Sequence, residues 1–307
     1  MDKLSMYLGT GNLPTETVHA ILDAFYEAGG RNLDTARVYG DNEIQIGQWL
    51  QDRGMNDMVI LTKGAHPDMN DEDPKKWAPR LTRNDIRGDI EVSLVALRQS
   101  CVDAYLLHRD DTSVSVSEVA EILTSLVEKG LTRTVGVSNW SVKRTAALAD
   151  ALEAQGGPRL AYVSNYFGLA HVDGAGMPGG QTTTPELIAL AEEREFQILA
   201  YMPRAHGYFG RDPRPGLDPW CTPESERRRA ILTDVAAAYN VPMGALETRW
   251  LSTVHPAIVP VFGTTRPEGA AQLAQDSTDT SLDPAVVALT AALGDSWRDS
   301  GVFRSAE

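Results

Sequence analysis

Cysteine is scarce in this sequence: Cys101 and Cys221 are the only two, and they match neither a metal-ligand spacing nor a disulfide framework. Cys101 falls between a helical pattern and a strand, where packing is the expected role, and Cys221 falls in a polar loop. Long apolar runs are missing as well. No stretch approaches the ~18 consecutive apolar residues that a membrane span needs. Met1-Asp2-Lys3-Leu4-Ser5 has neither the basic start nor the apolar run of a signal peptide, so a cytoplasmic protein is expected. Basic residues are outnumbered, 28 Lys and Arg against 42 Asp and Glu, for a formal net charge of −14. That balance argues against nucleic acid and against an anionic membrane surface as partners, because both select basic patches. An anionic cofactor needs only a few local cations and is not excluded. No G-x-G-x-x-G joins a strand to a helix, which removes the main support for a Rossmann fold.

What is present is an alternation. Short apolar strands are predicted at Tyr7–Gly11 (running into a turn), Arg31–Asp34, Met58–Lys63, Ala104–His108, Thr134–Ser138, Ala161–Ser164, Phe196–Tyr201 and Ile258–Phe262. Between them lie helical patterns. Thr15 is expected to cap a helix with Val18, Ile21, Leu22 and Phe25 inward. Asn42 to Arg53 follows, then a helix capped by Thr82 that buries Ile86, Ile90, Leu94 and Leu97. Further helices are expected over Val116 to Lys129, from the cap Ser141, and over Pro185 to Glu195, Glu224 to Tyr239, Pro242 to Thr253, Pro267 to Gln275 and Pro284 to Trp297. Eight strand–helix units with no linker or shift in composition predict α/β architecture: a single-domain (β/α)8 TIM barrel spanning the 307 residues. Two long polar loops, Gly64 to Leu81 and Met202 to Thr222, are placed at C-terminal strand ends, where barrel enzymes build their sites.

Four residues at those strand ends carry complementary chemistry. Asp34 ends the second strand and Tyr39 follows in the loop; Lys63 ends the third strand and His108 the fourth. Taken singly, each has a plain structural reading: a cap, an interface aromatic, a snorkelling lysine, a satisfied loop histidine. Together, a phenol, an ammonium, an imidazole and a carboxylate at three strand ends make a proton-donating site.

With these residues in view, the chain resembles the aldo-keto reductase family from about Tyr7 to Gln275. The stretches that carry the likeness are NLDTARVYGDNE, VILTKG, DAYLLHRDD, VGVSNW, LAYMPRAHGYFG and PVFGTTRPEG, in family order. The resemblance implies NADPH-dependent reduction of an aldehyde or ketone, or the reverse alcohol oxidation, without a metal. It implies that Tyr39 protonates the carbonyl oxygen, that Asp34 holds Lys63, and that His108 orients the carbonyl. A free phenol titrates near ~10, and the Lys63 ammonium is expected to lower that value.

On the cofactor side, the resemblance implies that Ser138 and Asn139 meet the nicotinamide carboxamide, with Ser164 on strand six. Where the family commonly has Gln this chain has Ser164-Asn165-Tyr166, and the sequence leaves open which of the three replaces it. It implies that Tyr201 stacks on the nicotinamide. The loop through Met202, Pro203, Arg204 and Gly207 would cover the pyrophosphate. Gly263, Thr264, Thr265 and Arg266 would receive the adenosine 2′-phosphate, and Glu268 the adenine. A guanidinium suits phosphate better than a ribose hydroxyl, so NADPH is expected ahead of NADH. The sequence departs from the family where Met202-Pro203-Arg204 replaces the frequent Ser-Pro-Leu, and Arg204 is expected to compensate with charge. The barrel-bottom hairpin is expected to be short or missing, because strand one begins near Met1.

His66, Trp77, Trp140, Tyr208, Phe209 and Trp220 are candidates for a substrate wall, with loop anchoring the competing role for the aromatics. His206 is expected to face water. Loop polarity at His66, Asp68, Arg204, Arg211 and Asp212 favours a hydroxylated, sugar-like carbonyl over a steroid. Two other functions fit a barrel of this kind. One is a cofactor-binding regulatory or redox-sensing subunit with little turnover; the other is a phosphate-binding isomerase or lyase that binds no NADPH. The sequence leaves oligomeric state open, with a monomer the default.

Overall fold

The computed structural model describes residues 6–11, 13–69, 72, 77–175, 179–210 and 218–304. In chain order the first half runs β1 (Tyr7–Gly9), α1 (Val18–Glu27), β2 (Asn32–Asp34), α2 (Asn42–Arg53), β3 (Val59–Gly64), α3 (Arg83–Leu97), β4 (Val102–Leu107) and α4 (Val116–Glu128). The second half runs β5 (Thr132–Ser138), α5 (Val142–Ala154), β6 (Leu160–Tyr166), β7 (Val172–Ala175), α6 (Pro185–Arg194), β8 (Gln197–Tyr201), α7 (Pro223–Tyr239), α8 (Met243–Thr253), β9 (Ile258–Gly263), α9 (Pro267–Thr278), α10 (Asp283–Leu293) and β10 (Gly301–Arg304). Every strand except β7 and β10 belongs to one closed barrel, in sequence order. Closure is made by β1, which pairs in parallel with β2 through Leu8 and Leu33 and with β9 through Leu8 and Phe262.

Two apolar layers hold this arrangement. Leu8, Leu33, Leu107 and Val163 point outward into the shell shared with the helices. Tyr7, Leu61, Ala104, Leu106, Leu199, Val259 and Val261 fill the barrel interior. Since side chains alternate along a strand, the next inward positions after these are Gly9, Lys63, His108, Tyr201 and Gly263. The strand pattern thus carries the polar residues onto one rim, one layer above the apolar plug. Inside, Gly136 is required by close approach: a Cβ there would meet the Tyr162 carbonyl oxygen at 2.5 Å and Leu106 at 2.9 Å.

Most expected boundaries lie within two residues of those observed, with informative exceptions. The cap position of α1 is Thr17, not Thr15; its hydroxyl donates to the Pro14 carbonyl at 3.4 Å. The α9 helix continues to Thr278, and α10 stops at Leu293, where Gly294 takes φ +58° and a 3-10 turn follows. The expectation about a barrel-bottom hairpin falls largely on residues 1–5, outside the described residues. The ribbon of β7 and β10 was not expected from local pattern. It pairs residues more than a hundred positions apart, Gly301 with Val172 and Arg304 with Ala175.

Arg228 locks that ribbon. It is 1% exposed and donates to the Glu224 carboxylate at 2.7 Å and to the carbonyls of Leu169 (3.3 Å), Asp299 (2.9 Å) and Ser296. No helix of the described residues is long and apolar enough to cross a membrane. Arg228→Met is expected to leave these carbonyls unsatisfied and to lower unfolding stability by about 3 kcal/mol. A urea midpoint equal to wild type would contradict that role.

Candidate active site

At the rim, the Lys63 ammonium lies 2.7 Å from the Asp34 carboxylate and 3.0 Å from the Thr35 carbonyl. Both side chains of the ion pair are almost wholly buried. The second layer fixes them through the backbone: Thr35 N–H donates to the Leu61 carbonyl at 2.9 Å, and Arg37 N–H to the Lys63 carbonyl at 2.8 Å. Tyr39 sits in the turn that leads into α2, its N–H donating to the Ala36 carbonyl at 3.0 Å. Its ring centre is 5.4 Å from the Lys63 ammonium. The ring crowds Gly11, where a Cβ would stand 3.3 Å from it.

His108 stands edge-on to Tyr39, ring centres 5.8 Å apart, and edge-on to His66 at 4.9 Å. Trp77 continues this row, 6.0 Å from His66. The structure therefore brings Asp34, Tyr39, Lys63, His108, His66 and Trp77 into one cluster.

The electrostatics follow from burial and from two cations. Burial favours the neutral amine at Lys63, yet Asp34 and Tyr39 together hold its ammonium above the ordinary lysine range. Burial, reinforced by Lys63, Arg109 and His66, pushes His108 well below the usual histidine value, so the imidazole is neutral at pH 7. Tyr39 departs from expectation. Lys63 does draw its pKa down, but burial outweighs that pull and the phenol stays above its ordinary value. It is held as the acid, with the ammonium limiting rather than reversing the effect of desolvation.

A cleft of about 540 Å³ opens beside the cluster. Its lining combines Asp34 and Tyr39 with Tyr201, Met202, Pro203, Arg204, His206 and Gly207 from the end of β8 and beyond, and with Gly263, Thr264, Thr265 and Arg266 from the end of β9. Met202, Ala205 and His206 adopt left-handed backbone at φ +48°, +44° and +55°, strain that concentrates at functional loops. Ser138, Asn139 and Ser164 lie behind the cleft, linked to it by one ring. The Tyr201 hydroxyl donates to Asn139 Oδ1 at 2.7 Å, Asn139 Nδ2 donates to Ser138 Oγ at 2.9 Å, and Ser138 Oγ donates to the Ser164 carbonyl at 3.0 Å. Glu268 is in the first turn of α9, exposed and outside the cleft lining.

Other candidates point elsewhere. Trp140, Tyr208 and Phe209 are fully buried and Trp220 nearly so; none of the four lines the cleft. Large rings with a polar edge anchor loops in this way: the Trp220 indole donates to the Tyr166 hydroxyl at 2.9 Å, and the Tyr208 hydroxyl donates to Glu226 at 2.5 Å. His206, expected to face water, is exposed but lines the cleft. Asp68 pairs with Arg80 at 3.5 Å, while Arg211 and Asp212 lie outside the described residues.

Sequence reasoning missed two polar residues here and left a third, Asn165, undecided. Asn165 accepts from Asn139 N–H at 3.0 Å through its side-chain oxygen and donates to the Trp140 carbonyl at 3.3 Å. Arg109, next to His108, folds back to donate to the His108 carbonyl at 3.0 Å. Glu247, on α8, accepts from Arg204 at 3.0 Å, so the charge expected to serve the pyrophosphate is already paired. Adjacency to His108 was the available signal for Arg109; Glu247 had none, since its helix meets the cleft only in three dimensions.

Fold and site together define a (β/α)8 barrel whose rim holds a buried cluster of titratable side chains beside an arginine-bearing cleft. A family model, the aldo/keto reductase family, matches residues 5–294. The chain belongs to the aldo/keto reductase family. It is similar to norsolorinic acid reductase stcV of Emericella nidulans, 25% identical over 82% of this chain and 66% of that protein. It is similar to an aryl-alcohol dehydrogenase [NADP(+)] of Phanerodontia chrysosporium, 35% identical over 47% of this chain and 40% of that one. Methylglyoxal reductase DkgB of Salmonella typhimurium is 26% identical over 88% of this chain and 86% of its own length. The chain thus spans less than two thirds of the first two relatives it matches.

Burial raises Glu247 to about 7, with Arg204 opposing. A carboxyl whose folded value exceeds its unfolded value of 4.5 binds more protons when folded. Its contribution is complete below pH 4.5 and is lost as pH rises toward 7, about 3 kcal/mol in all. Glu247→Gln is expected to remove that loss, so the stability difference between variant and wild type should move in the variant's favour from pH 4.5 to 7. A difference that does not change with pH would contradict the burial argument.

Proposed function

We propose that the protein reduces an aldehyde or ketone with NADPH, or runs the reverse alcohol oxidation. The observation that carries this reading is the continuity of the Asp34–Lys63–Tyr39–His108 cluster with the cleft that ends at Arg266. NADPH, when bound, supplies the hydride; the chain supplies the proton, the orientation and the dry surroundings.

Tyr39 is the donor in this reading because its phenol stays protonated through neutral pH, while the Lys63 proton is held by Asp34. As its proton leaves for the carbonyl oxygen, negative charge grows on the phenol oxygen, and the Lys63 ammonium beside it stabilises that charge. Asp34 keeps Lys63 charged and in place. His108, neutral, directs an N–H at the carbonyl oxygen without competing as an acid.

The residues present fit the cofactor. A Cβ added at Gly263 would meet nothing within 4 Å, so a ligand can lie against the backbone there. No carboxylate pairs with the Arg266 guanidinium among the described residues, and α9 starts directly after it with its N-terminal dipole positive. Arg266, Thr264 and Thr265 would hold the 2′-phosphate, Glu268 the adenine, and Met202, Pro203, Arg204 and Gly207 the pyrophosphate. The Tyr201 ring, pinned by its hydroxyl, would back the nicotinamide. Ser138, Asn139 and Ser164 would meet its carboxamide once Asn139 exchanges its internal partners. The relative named as NADP(+)-dependent supports NADPH over NADH.

Two variants separate the halves of the reading. Tyr39→Phe is expected to lower kcat for carbonyl reduction by roughly 10³-fold, while NADPH affinity from tryptophan quenching stays within about threefold of wild type. Arg266→Ala is expected to weaken NADPH at least tenfold and NADH much less. Undiminished reduction by Tyr39→Phe would sink the proton assignment; equal losses for the two nucleotides would sink the 2′-phosphate assignment.

A further inference from the structure

Beside the Tyr39–His108 cluster, one cation has no counter-charge among the described residues. Arg109 is 9% exposed, and its guanidinium makes one hydrogen bond among the described residues, from Nη1 to the His108 carbonyl. The carboxylates near it in the chain are engaged elsewhere. Asp110 is clamped by Arg144 at 2.9 Å, and Asp111 accepts from Ser113 N–H at 3.0 Å and Oγ at 2.7 Å. Asp34 belongs to Lys63. The cluster therefore carries one uncompensated positive charge. Desolvating a lone guanidinium costs several kcal/mol, so a fold that tolerates it is expected to obtain something in return.

The position of Arg109 indicates what. Asn139 Nδ2 approaches the same His108 carbonyl at 3.4 Å, which places the guanidinium where the ends of β4, β5 and β8 converge. Its charge is felt by Tyr39, Tyr201, His108 and His66 together. The stem lies beside Gly179: a Cβ there, at φ +67°, would stand 3.8 Å from Arg109 Cδ and 3.9 Å from Nε. With Nη1 occupied, Nε–H and Nη2–H remain, and these two donors share one edge of the guanidinium. That edge matches the two oxygens of a carboxylate side by side.

Resting on the reductase reading above, we propose that Arg109 anchors a carboxylate carried by the substrate, so that the protein acts on aldehydes or ketones bearing an acid group. The acid is held by the Nε–Nη2 edge while the carbonyl of the same molecule reaches Tyr39 and His108. Selectivity is then a matter of charge: a neutral carbonyl compound leaves the guanidinium uncompensated, and an acidic one neutralises it.

The test compares 4-carboxybenzaldehyde with its methyl ester, by calorimetric binding with and without NADP+ and by turnover with NADPH. Wild type is expected to bind the acid at least tenfold more tightly than the ester. Arg109→Met is expected to erase that preference: the ratio of acid to ester, in binding and in kcat/KM, falls to near one. Arg109→Lys is expected to restore part of it. Arg109→Met should also melt no lower than wild type, because it removes a lone buried charge and a single hydrogen bond; a residue with a purely structural role would melt lower. A wild type that binds acid and ester equally would overturn the proposal. So would an Arg109→Met variant that weakens both alike, which would place Arg109 with the proton donor instead. Arg109-dependent binding of the acid with no NADPH-dependent turnover would overturn the reductase reading and leave the carboxylate site standing.

Discussion

The buried pair of Lys63 and Asp34 is the constraint on which the rest of the rim depends. Two charges taken out of water do not stabilise a fold merely by meeting, since their desolvation offsets most of the attraction. Their geometry must be held by other interactions. Here the barrel holds it: the register of β2 on β3 aligns Asp34 with Leu61, and the inward alternation sets Lys63 one layer above Leu61. Apolar packing below thus fixes the ion pair, and the ion pair fixes the electrostatic setting of Tyr39.

The site is a set of charges closed in pairs, with one exception near the chemistry. Lys63 is closed by Asp34, Arg204 by Glu247 and Arg144 by Asp110. Arg109 stays open beside the histidines. Closed pairs position side chains without adding net charge; burial keeps Tyr39 a neutral acid and, reinforced by Lys63 and Arg109, keeps His108 a neutral imidazole at pH 7. An open charge selects among ligands. In the proposed reading, carbonyl orientation by His108 and discrimination by Arg109 fall on adjacent residues just past the end of β4.

Much of this was legible in the sequence because the physics is local. Short apolar runs ending in a polar residue announced eight strands and placed Asp34, Lys63 and His108 on one rim. Glycine and proline punctuation set most helix ends, and the capping hydroxyls of Thr82 and Ser141 do accept from the backbone as expected. What escaped was non-local or directional. The β7–β10 ribbon joins residues more than a hundred positions apart through a four-residue strand. Glu247 reaches Arg204 from a different helix. Trp140, Tyr208, Phe209 and Trp220 were chemically suited to a pocket wall, but composition does not say which way a ring points, and these point into the fold. The sign of the Tyr39 shift required weighing an ammonium against desolvation, and only the structure supplies the second quantity.

The most direct measurement of the central claim follows the hydride itself. Wild-type protein would be incubated with NADPH stereospecifically deuterated at nicotinamide C4, each C4 epimer in turn, and a panel of aryl and acidic aldehydes, with products read by mass spectrometry. The account predicts an alcohol carrying one deuterium on the former carbonyl carbon from one epimer and not from the other. Unlabelled products from both epimers, or no alcohol at all, would contradict hydride transfer at this rim.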